Sequence, residues 1–159
     1  MLGLLVRAGG TATPYALKQM AAGSIGNFWS VQHAQLYSEP ERLRDAGLVE
    51  EERETGGRRR RTYSVTAAGR AALDGWLQTP AAAPGELRDP GLLQLFFGAD
   101  QEALAAPQEA LHADKLAEYE SLHARAAAVM PSGERLALEA GIAHEREWVA
   151  FWAGLRDRR

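Results

Sequence analysis

The chain contains no cysteine, which removes disulfides, thiolate zinc sites and cysteine nucleophiles from consideration together. Lysine is nearly absent: Lys18 and Lys115 are the only lysines among 18 cationic residues. Beside so much Ala and Gly, the arginine bias reads as that of a GC-rich genome, so arginine abundance alone says nothing about partners. Long apolar runs are missing, and nothing approaches the roughly 20 residues of a membrane helix. The opening MLGLLVRAGG is broken at Gly9-Gly10 before it reaches the length of a secretory signal. A cytoplasmic protein with no membrane association is expected. No Ser/His/Asp arrangement is visible. Gly9-Gly10 and Gly56-Gly57 lack the lysine or helix context of a phosphate-cradling loop, so neither enzyme chemistry nor a cofactor is expected.

Net positive charge is also lacking, at −3 overall. The deficit is uneven. Residues 1–79 carry ten Lys+Arg and eight Asp+Glu, whereas residues 80–159 carry eight and thirteen. A less acidic first half with clustered arginines is compatible with local nucleic-acid contact on an acidic body. At 159 residues, 46% hydrophobic and 25% charged, the chain has the composition of a soluble globular protein with one large or two small domains.

Leu2, Leu4, Leu5 and Val6 form a short first helix ended by Gly9-Gly10. Thr13-Pro14 starts a second, with Thr13 as N-cap and Pro14 at the first helical position, running to about Ala22. Gly23 to Asn27 is a turn. The chain is organised around the next stretch, FWSVQHAQLYSEPERLRDAGLVEEERETGGRRRRTYSVT from Phe28 to Thr66. Ser30 reads as the N-cap of one long helix, kinked at Pro40, with Leu36 and Leu43 on its apolar face and Gly47 in a left-handed position after its end. Leu48 to Thr55 and Arg59 to Thr66 pair as a hairpin, with Gly56-Gly57 supplying positive φ at its turn. Thr66 caps another helix, AAGRAALDGWLQ. Pro80, Pro84, Gly85 and Pro90 mark a linker. Beyond it, a dense apolar helix ends at Gly98, a long helix spans Asp100 to about Met130 with an interruption or fresh start near Pro107, and a last helix spans Glu134 to about Leu155.

The fold class is therefore mainly α. A winged helix-turn-helix domain occupies residues 1–79, a linker residues 80–90, and an α-helical dimerisation domain residues 91–159. A helix followed by a basic hairpin is the arrangement with which winged helices meet duplex DNA. With Leu36 and Leu43 inward, steps of about 100° place Gln32, Gln35, Ser38 and Arg42 outward, with His33 at the margin. Glutamine pairs bidentately with adenine and arginine with guanine. Tyr37 is expected to pack between helices with its hydroxyl in reach of a phosphate. Tyr15 and Lys18 are phosphate contacts of low specificity, and Arg58, Arg59, Arg60 and Arg61 alternate along the wing, so about half face one groove. Any surface helix has a polar face, and edge strands often carry charge. The spacing of these residues alone therefore does not decide for DNA.

The segments LGLL (Leu2 to Leu5), PYAL (Pro14 to Leu17), FWSVQHAQLYSEPERLRDAGLVE (Phe28 to Glu50), GGRRRRTYSVTAAGRAALDGWL (Gly56 to Leu77) and RDPGLLQLFF (Arg88 to Phe97) resemble PadR-family transcriptional regulators. The second half is similar to the helical domain of the larger members. The resemblance implies a dimeric winged helix-turn-helix protein, usually a repressor, that dimerises through its C-terminal helices. Some members are released from DNA by phenolic or drug-like aromatic compounds. It also tips the outward face of the helix towards a pseudo-palindromic DNA operator.

In the second half, Phe96, Trp148, Phe151, Trp152 and Leu155 are assigned to a dimer core or an aromatic-effector pocket. Trp148, Trp152 and Leu155 recur at helical spacing, and the apolar surface around them is wider than one stripe needs, which points to a partner. Glu109-Ala-Leu-His112 and Glu120-Ser-Leu-His123 match the local unit of carboxylate-bridged di-metal bundles. They lie on one helix rather than two, so solvated helix faces account for them better. Two rival readings remain: a winged-helix module for protein contact, whose arginines hold an acidic partner, and a di-metal helical enzyme.

Overall fold

The structure is a computed structural model describing residues 1–159 apart from Ser30, His33, Thr55, Gly57, Arg58, Arg59, Pro84, Asp157, Arg158 and Arg159. Two compact units divide the chain, Met1–Pro84 and Gly85–Arg159.

In the first unit the order is α1 (Leu2–Arg7), β1 (Thr11–Ala12), α2 (Pro14–Ala22), a 3-10 turn (Ile25–Asn27), α3 (Gln35–Asp45), β2 (Val49–Arg53), β3 (Arg61–Val65) and α4 (Ala67–Gln78). The expected start signals act as caps. Thr13 Oγ1 accepts the Ala16 N–H at 3.2 Å, and Thr66 Oγ1 accepts the Gly69 N–H at 3.0 Å. At the end of α3, Gly47 has φ 71°. Its N–H bonds the Arg44 carbonyl at 2.8 Å, and the Leu48 N–H bonds the Leu43 carbonyl at 2.9 Å, a paired closure that stops the helix and turns the chain into β2. The sheet runs β1-β3-β2, all antiparallel, with β3 central. The two-residue β1 is too short to leave a periodic signal in the sequence. The core packs Leu4, Leu5, Ala12, Leu17, Ala21, Val49 and Tyr63, with Leu43 and Val65 against it.

Three expectations bear on this unit. The helix expected from Ser30 begins only at Gln35. The Gln35 side-chain oxygen accepts the Gln32 N–H at 3.2 Å, while the Gln35 N–H bonds the Gln32 carbonyl at 3.0 Å. That reciprocal closure sets the start after Gln32, and the proposed cap Ser30 lies outside the described residues. Second, the single helix expected across Pro40 is present: α3 continues through Pro40, which is fully buried beside the buried Leu36. Third, the glycines with positive φ among the described residues are Gly9, Gly10, Gly47 and Gly98. Gly56 is not one of them, and Gly57 lies outside the described residues.

In the second unit, α5 (Pro90–Phe96), α6 (Gln101–Ala126) and α7 (Ser132–Arg156) follow one another. Asp89 caps α5 through the Leu92 N–H at 2.8 Å. Asp100 caps α6 through the N–H groups of Glu102 and Ala103 at 2.8 and 3.1 Å. The interruption expected at Pro107 does not occur, and α6 runs through it. An antiparallel hairpin of α6 and α7 forms the body of this unit, with Ala105, Trp152 and Leu155 as its buried centre and Leu92, Leu95, Leu104 and Trp148 packed around them.

Candidate nucleic-acid interface

α3 presents two different sides. Leu36 and Pro40 are buried and Leu43 is half-buried against the core, which orients the opposite side to solvent. Gln35, Tyr37, Ser38 and Arg42 are exposed there, as is Gln32 just before the helix. Gln32 and Gln35 are coupled through the closure described above, so they present one joined polar end rather than two independent amides. Arg42 is not an isolated cation, because its Nη2 lies 3.3 Å from Glu39 Oε2 one turn back. The helix also carries Glu41 on its solvent side, a carboxylate absent from the residues expected there. His33 lies outside the described residues.

The wing is built from β2 and β3 in the register Val49↔Val65, Glu51↔Tyr63 and Arg53↔Arg61. Side chains alternate along strands, so Val49, Glu51 and Arg53 share one face with Arg61, Tyr63 and Val65. That face is the core side, since Val49 and Tyr63 are buried. Arg61 is thereby drawn inward: its Nη1 meets Glu41 Oε1 of α3 at 2.5 Å and its Nε lies 3.5 Å from Glu51 Oε1. Arg60 is exposed on the wing, and its carbonyl accepts the Glu54 N–H at 3.1 Å. Arg58 and Arg59 lie outside the described residues.

Glu51 is the centre of this arrangement. Its side chain is only 4% exposed and receives Arg53 at 2.6 Å and Arg44 of α3 at 2.5 Å. The hydrogen bonds from Arg53, then Arg44, outweigh burial and hold its carboxyl down at about 2. Arg44 is raised above its ordinary value by Asp45 first and Glu51 second. No signal of this cluster exists in the sequence beyond an acidic run followed by a basic one, because its members come from three elements.

On α2, Leu17 and Ala21 face the core, leaving Tyr15 and Lys18 exposed. The Tyr15 hydroxyl accepts Gln19 Nε2 at 3.1 Å. Phe28 and Trp29, between the 3-10 turn and α3, are 69% and 67% exposed. Neither is among the residues expected at a site, although two bulky apolar residues beside a Gly/Ser/Asn turn are a readable signal.

The assigned residues of the second unit separate into surface and core. Phe96 is 81% exposed, edge-to-face with Phe97. Trp152 and Leu155 are buried, so the stripe of α7 is largely used by its own unit. Trp148 is half-buried and stacks on His112 at a centroid distance of 5.6 Å, while Phe151 contacts both indoles edge-on. Among the described residues Trp152 Nε1 is buried without a hydrogen-bond partner. Two open clefts of about 470 and 510 Å³ lie elsewhere, the first lined by Glu120, His123, Glu139, Ile142 and Arg146, the second by Gln94, Phe97 to Asp100, Ala103 and Leu104.

The first of the two Glu-x-x-His motifs is not a solvated face, whereas Glu120 of the second is exposed. His112 is buried and its Nδ1 meets Glu145 Oε2 at 2.6 Å. Glu109 takes Arg156 at 2.6 Å, Glu120 takes Arg146 at 2.6 Å, and His123 lies 3.4 Å from Glu139. All four side chains are therefore partnered on α7. Among the described residues no group of three or more His, Asp or Glu is placed to hold a metal ion, and no helix is long and apolar enough to cross a membrane.

Comparison with known proteins agrees with this arrangement. Residues 1–75 match the transcriptional regulator PadR-like family, and residues 87–153 match the family described as virulence activator alpha C-term. The negative transcriptional regulator PadR of Bacillus subtilis is 28% identical over 99 residues, an alignment spanning 61% of this chain and 53% of that protein, about half its length. Among solved structures, B. subtilis PadR in complex with operator DNA superposes with a TM-score of 0.81 at 24% identity, covering 98% of this chain and 93% of that one. The same regulator with p-coumaric acid gives 0.78 at 23%, covering 98% and 93%. A PadR-like transcriptional regulator of Bacillus cereus gives 0.78 at 20%, covering 96% and 91%. These relatives are transcriptional regulators rather than enzymes. Residues 1–75 are thus a PadR-like transcriptional regulator domain, and residues 87–153 fit the C-terminal helical domain of the larger members of that family.

Proposed function

We propose that this protein is a dimeric, cytoplasmic repressor that binds a pseudo-palindromic operator and is released from it by a small aromatic effector. The observation carrying this reading is the two-sided α3, seated on the core through Leu36 and Pro40 with its polar side exposed beside the wing. Gln32, His33, Gln35, Ser38 and Arg42 would meet base edges. Tyr15, Lys18, Ser30, Tyr37 and the wing arginines Arg58, Arg59 and Arg60 would meet phosphates, while Arg61 is engaged by Glu41 and Glu51. The similarity to a regulator solved with operator DNA supports this assignment. Residues 1–79 act as the reading domain, residues 80–90 as a linker and residues 91–159 as the dimerisation domain. Exposed Leu93, Phe96, Phe97, Leu111, Val129 and Leu136 on the second unit are apolar surface of the kind a partner covers. Two copies would place two recognition helices about one DNA turn apart.

An effector reading is supported by the relative solved with p-coumaric acid and by Trp148, Phe151 and Trp152, whose rings offer rigid stacking area. Coupling of roughly 1–3 kcal/mol between effector and DNA would change occupancy several-fold or more.

The test is a gel shift with the DNA upstream of the protein's own coding region, repeated across salt concentrations. Specific retardation is expected, and replacing Arg58 and Arg60 together by Ala should weaken binding uniformly across sequences and lower the salt slope by about one to two. An unchanged slope removes the wing from the interface. Retardation of no DNA, with retention of an acidic protein instead, favours the protein-contact reading. Titration of p-coumarate and a panel of related phenolics into the retarded complex tests release.

A further inference from the structure

The contacts of Glu51 reach further than the strand that carries it. Its carboxylate lies between Arg53 and Arg61, which face each other across the hairpin as a directly opposed pair. Two arginines opposed in this way destabilise a ladder unless a counter-charge intervenes. Glu51 supplies it with Oε1, 2.6 Å from Arg53 and 3.5 Å from Arg61. Its second oxygen, Oε2, receives Arg44 of α3 at 2.5 Å. Arg61 reaches α3 a second time through Glu41 at 2.5 Å. The result is a closed circuit in which both wing strands are fastened to the recognition helix, one near its end through Arg44 and one near its middle through Glu41. A carboxylate so nearly buried and triply paired is costly to disturb, whereas the outer link through Glu41 is half-exposed and screened.

We propose that Glu51 is a positioning residue for DNA reading, one that touches no DNA itself and holds wing and recognition helix as a single body. This rests on the reading of α3 and the wing as the DNA-contacting surface. Without the clamp, the wing arginines still meet phosphates, but their offset from α3 is no longer fixed. Sequence-specific binding, which needs both contacts in one register, suffers more than non-specific binding, which does not.

The experiment uses the full chain as wild type, E51Q and E41Q. A duplex is selected from a random library with the wild type, and affinities for it and for random duplex are measured at fixed salt, with thermal melting as a control for folding. Expected for E51Q is a loss of about tenfold on the selected duplex and less than about twofold on random duplex. E41Q, which cuts only the outer link, should give the same selective loss at smaller size with melting unchanged. A carboxylate that merely repels phosphate would instead raise both affinities on neutralisation, and that result overturns the proposal. So does an equal loss on both duplexes. If E51Q does not melt cooperatively, the outcome for E41Q decides. Amide hydrogen exchange in the DNA-free chain reads the clamp independently. Exchange in β3, Arg61 to Val65, should quicken in both variants while α2 is unaffected. Unchanged exchange in β3 overturns the clamp. Failure of the wild type to select any duplex overturns the DNA reading instead and leaves the clamp to be judged by exchange.

Discussion

Gly69 lies in the first turn of α4, where a methyl group added to its Cα would come 2.1 Å from the Leu48 carbonyl oxygen and 3.0 Å from Val65. The neighbour is backbone and cannot swing aside. Thr66 fixes the same junction from the other direction: its hydroxyl donates to the Gly47 carbonyl at 2.9 Å, and its N–H bonds the Leu48 carbonyl at 3.1 Å. We predict that Gly69→Ala lowers stability by about 2 kcal/mol or more through overpacking, measured by denaturant unfolding. Glu51 gives a prediction in pH. Facing it are Arg44, Arg53 and Arg61, with Glu41 and Asp45 as the further carboxylates on α3. Its carboxyl lies at about 2 against an ordinary 4.5, so the stability it contributes is present above the ordinary value and lost as pH falls towards about 2. The difference in melting temperature between wild type and E51Q should therefore be full at neutral pH and shrink progressively below pH 4.5. A difference constant with pH would show that the charge of Glu51 is not what stabilises the wing.

Helices announce themselves through their ends, and this is why so much of the architecture is readable from the residues. Thr13-Pro14, Gly47, Thr66 and Gly98 are local signals whose physics is complete within a few residues. The start of α3 is harder to place because Ser30 offers a plausible cap, while the actual closure depends on the Gln35 side chain folding back on Gln32. Pro40 and Pro107 both lie inside continuous helices; Pro40 is buried, and its ring fills the core side of α3, so tertiary packing offsets the local cost of proline there, whereas Pro107 is exposed. The solvent side of α3 follows from Leu36 and Leu43, but the ties from Glu41 and Glu51 to Arg61 do not, because strand register decides them. The hairpin of α6 and α7 supplies the next prediction. His112 is buried, Glu145 is half-buried, and the two meet at 2.6 Å, so removing either strands the other. Alanine at either position should cost about 1–3 kcal/mol. The double variant should cost less than the sum, by about 0.5 kcal/mol or more of coupling. Strict additivity in thermal or denaturant melting would mean that the two groups do not act as a pair.

Across the chain, the two units carry separate cores and separate chemistry. The first holds the exposed polar helix and its wing; the second holds the ion-paired hairpin and the apolar surfaces of α5 and α6. The division fits the composition, in which proline and glycine gather between Thr79 and Pro90 and the acidic excess falls wholly in the second half. The tryptophans divide the same way, two to each unit. Trp29 and Trp76 in the first are 67% and 71% exposed, while Trp152 in the second is fully buried. The Trp148 indole N–H donates to His144 Nε2 at 2.8 Å. The chain thus carries its own pair of optical reporters. A water-soluble collisional quencher should extinguish the red-shifted emission of Trp29 and Trp76 first and leave the blue-shifted emission of Trp152 standing. What remains under quencher is a readout of the helical hairpin alone, and unfolding of either unit can be followed by colour without a label.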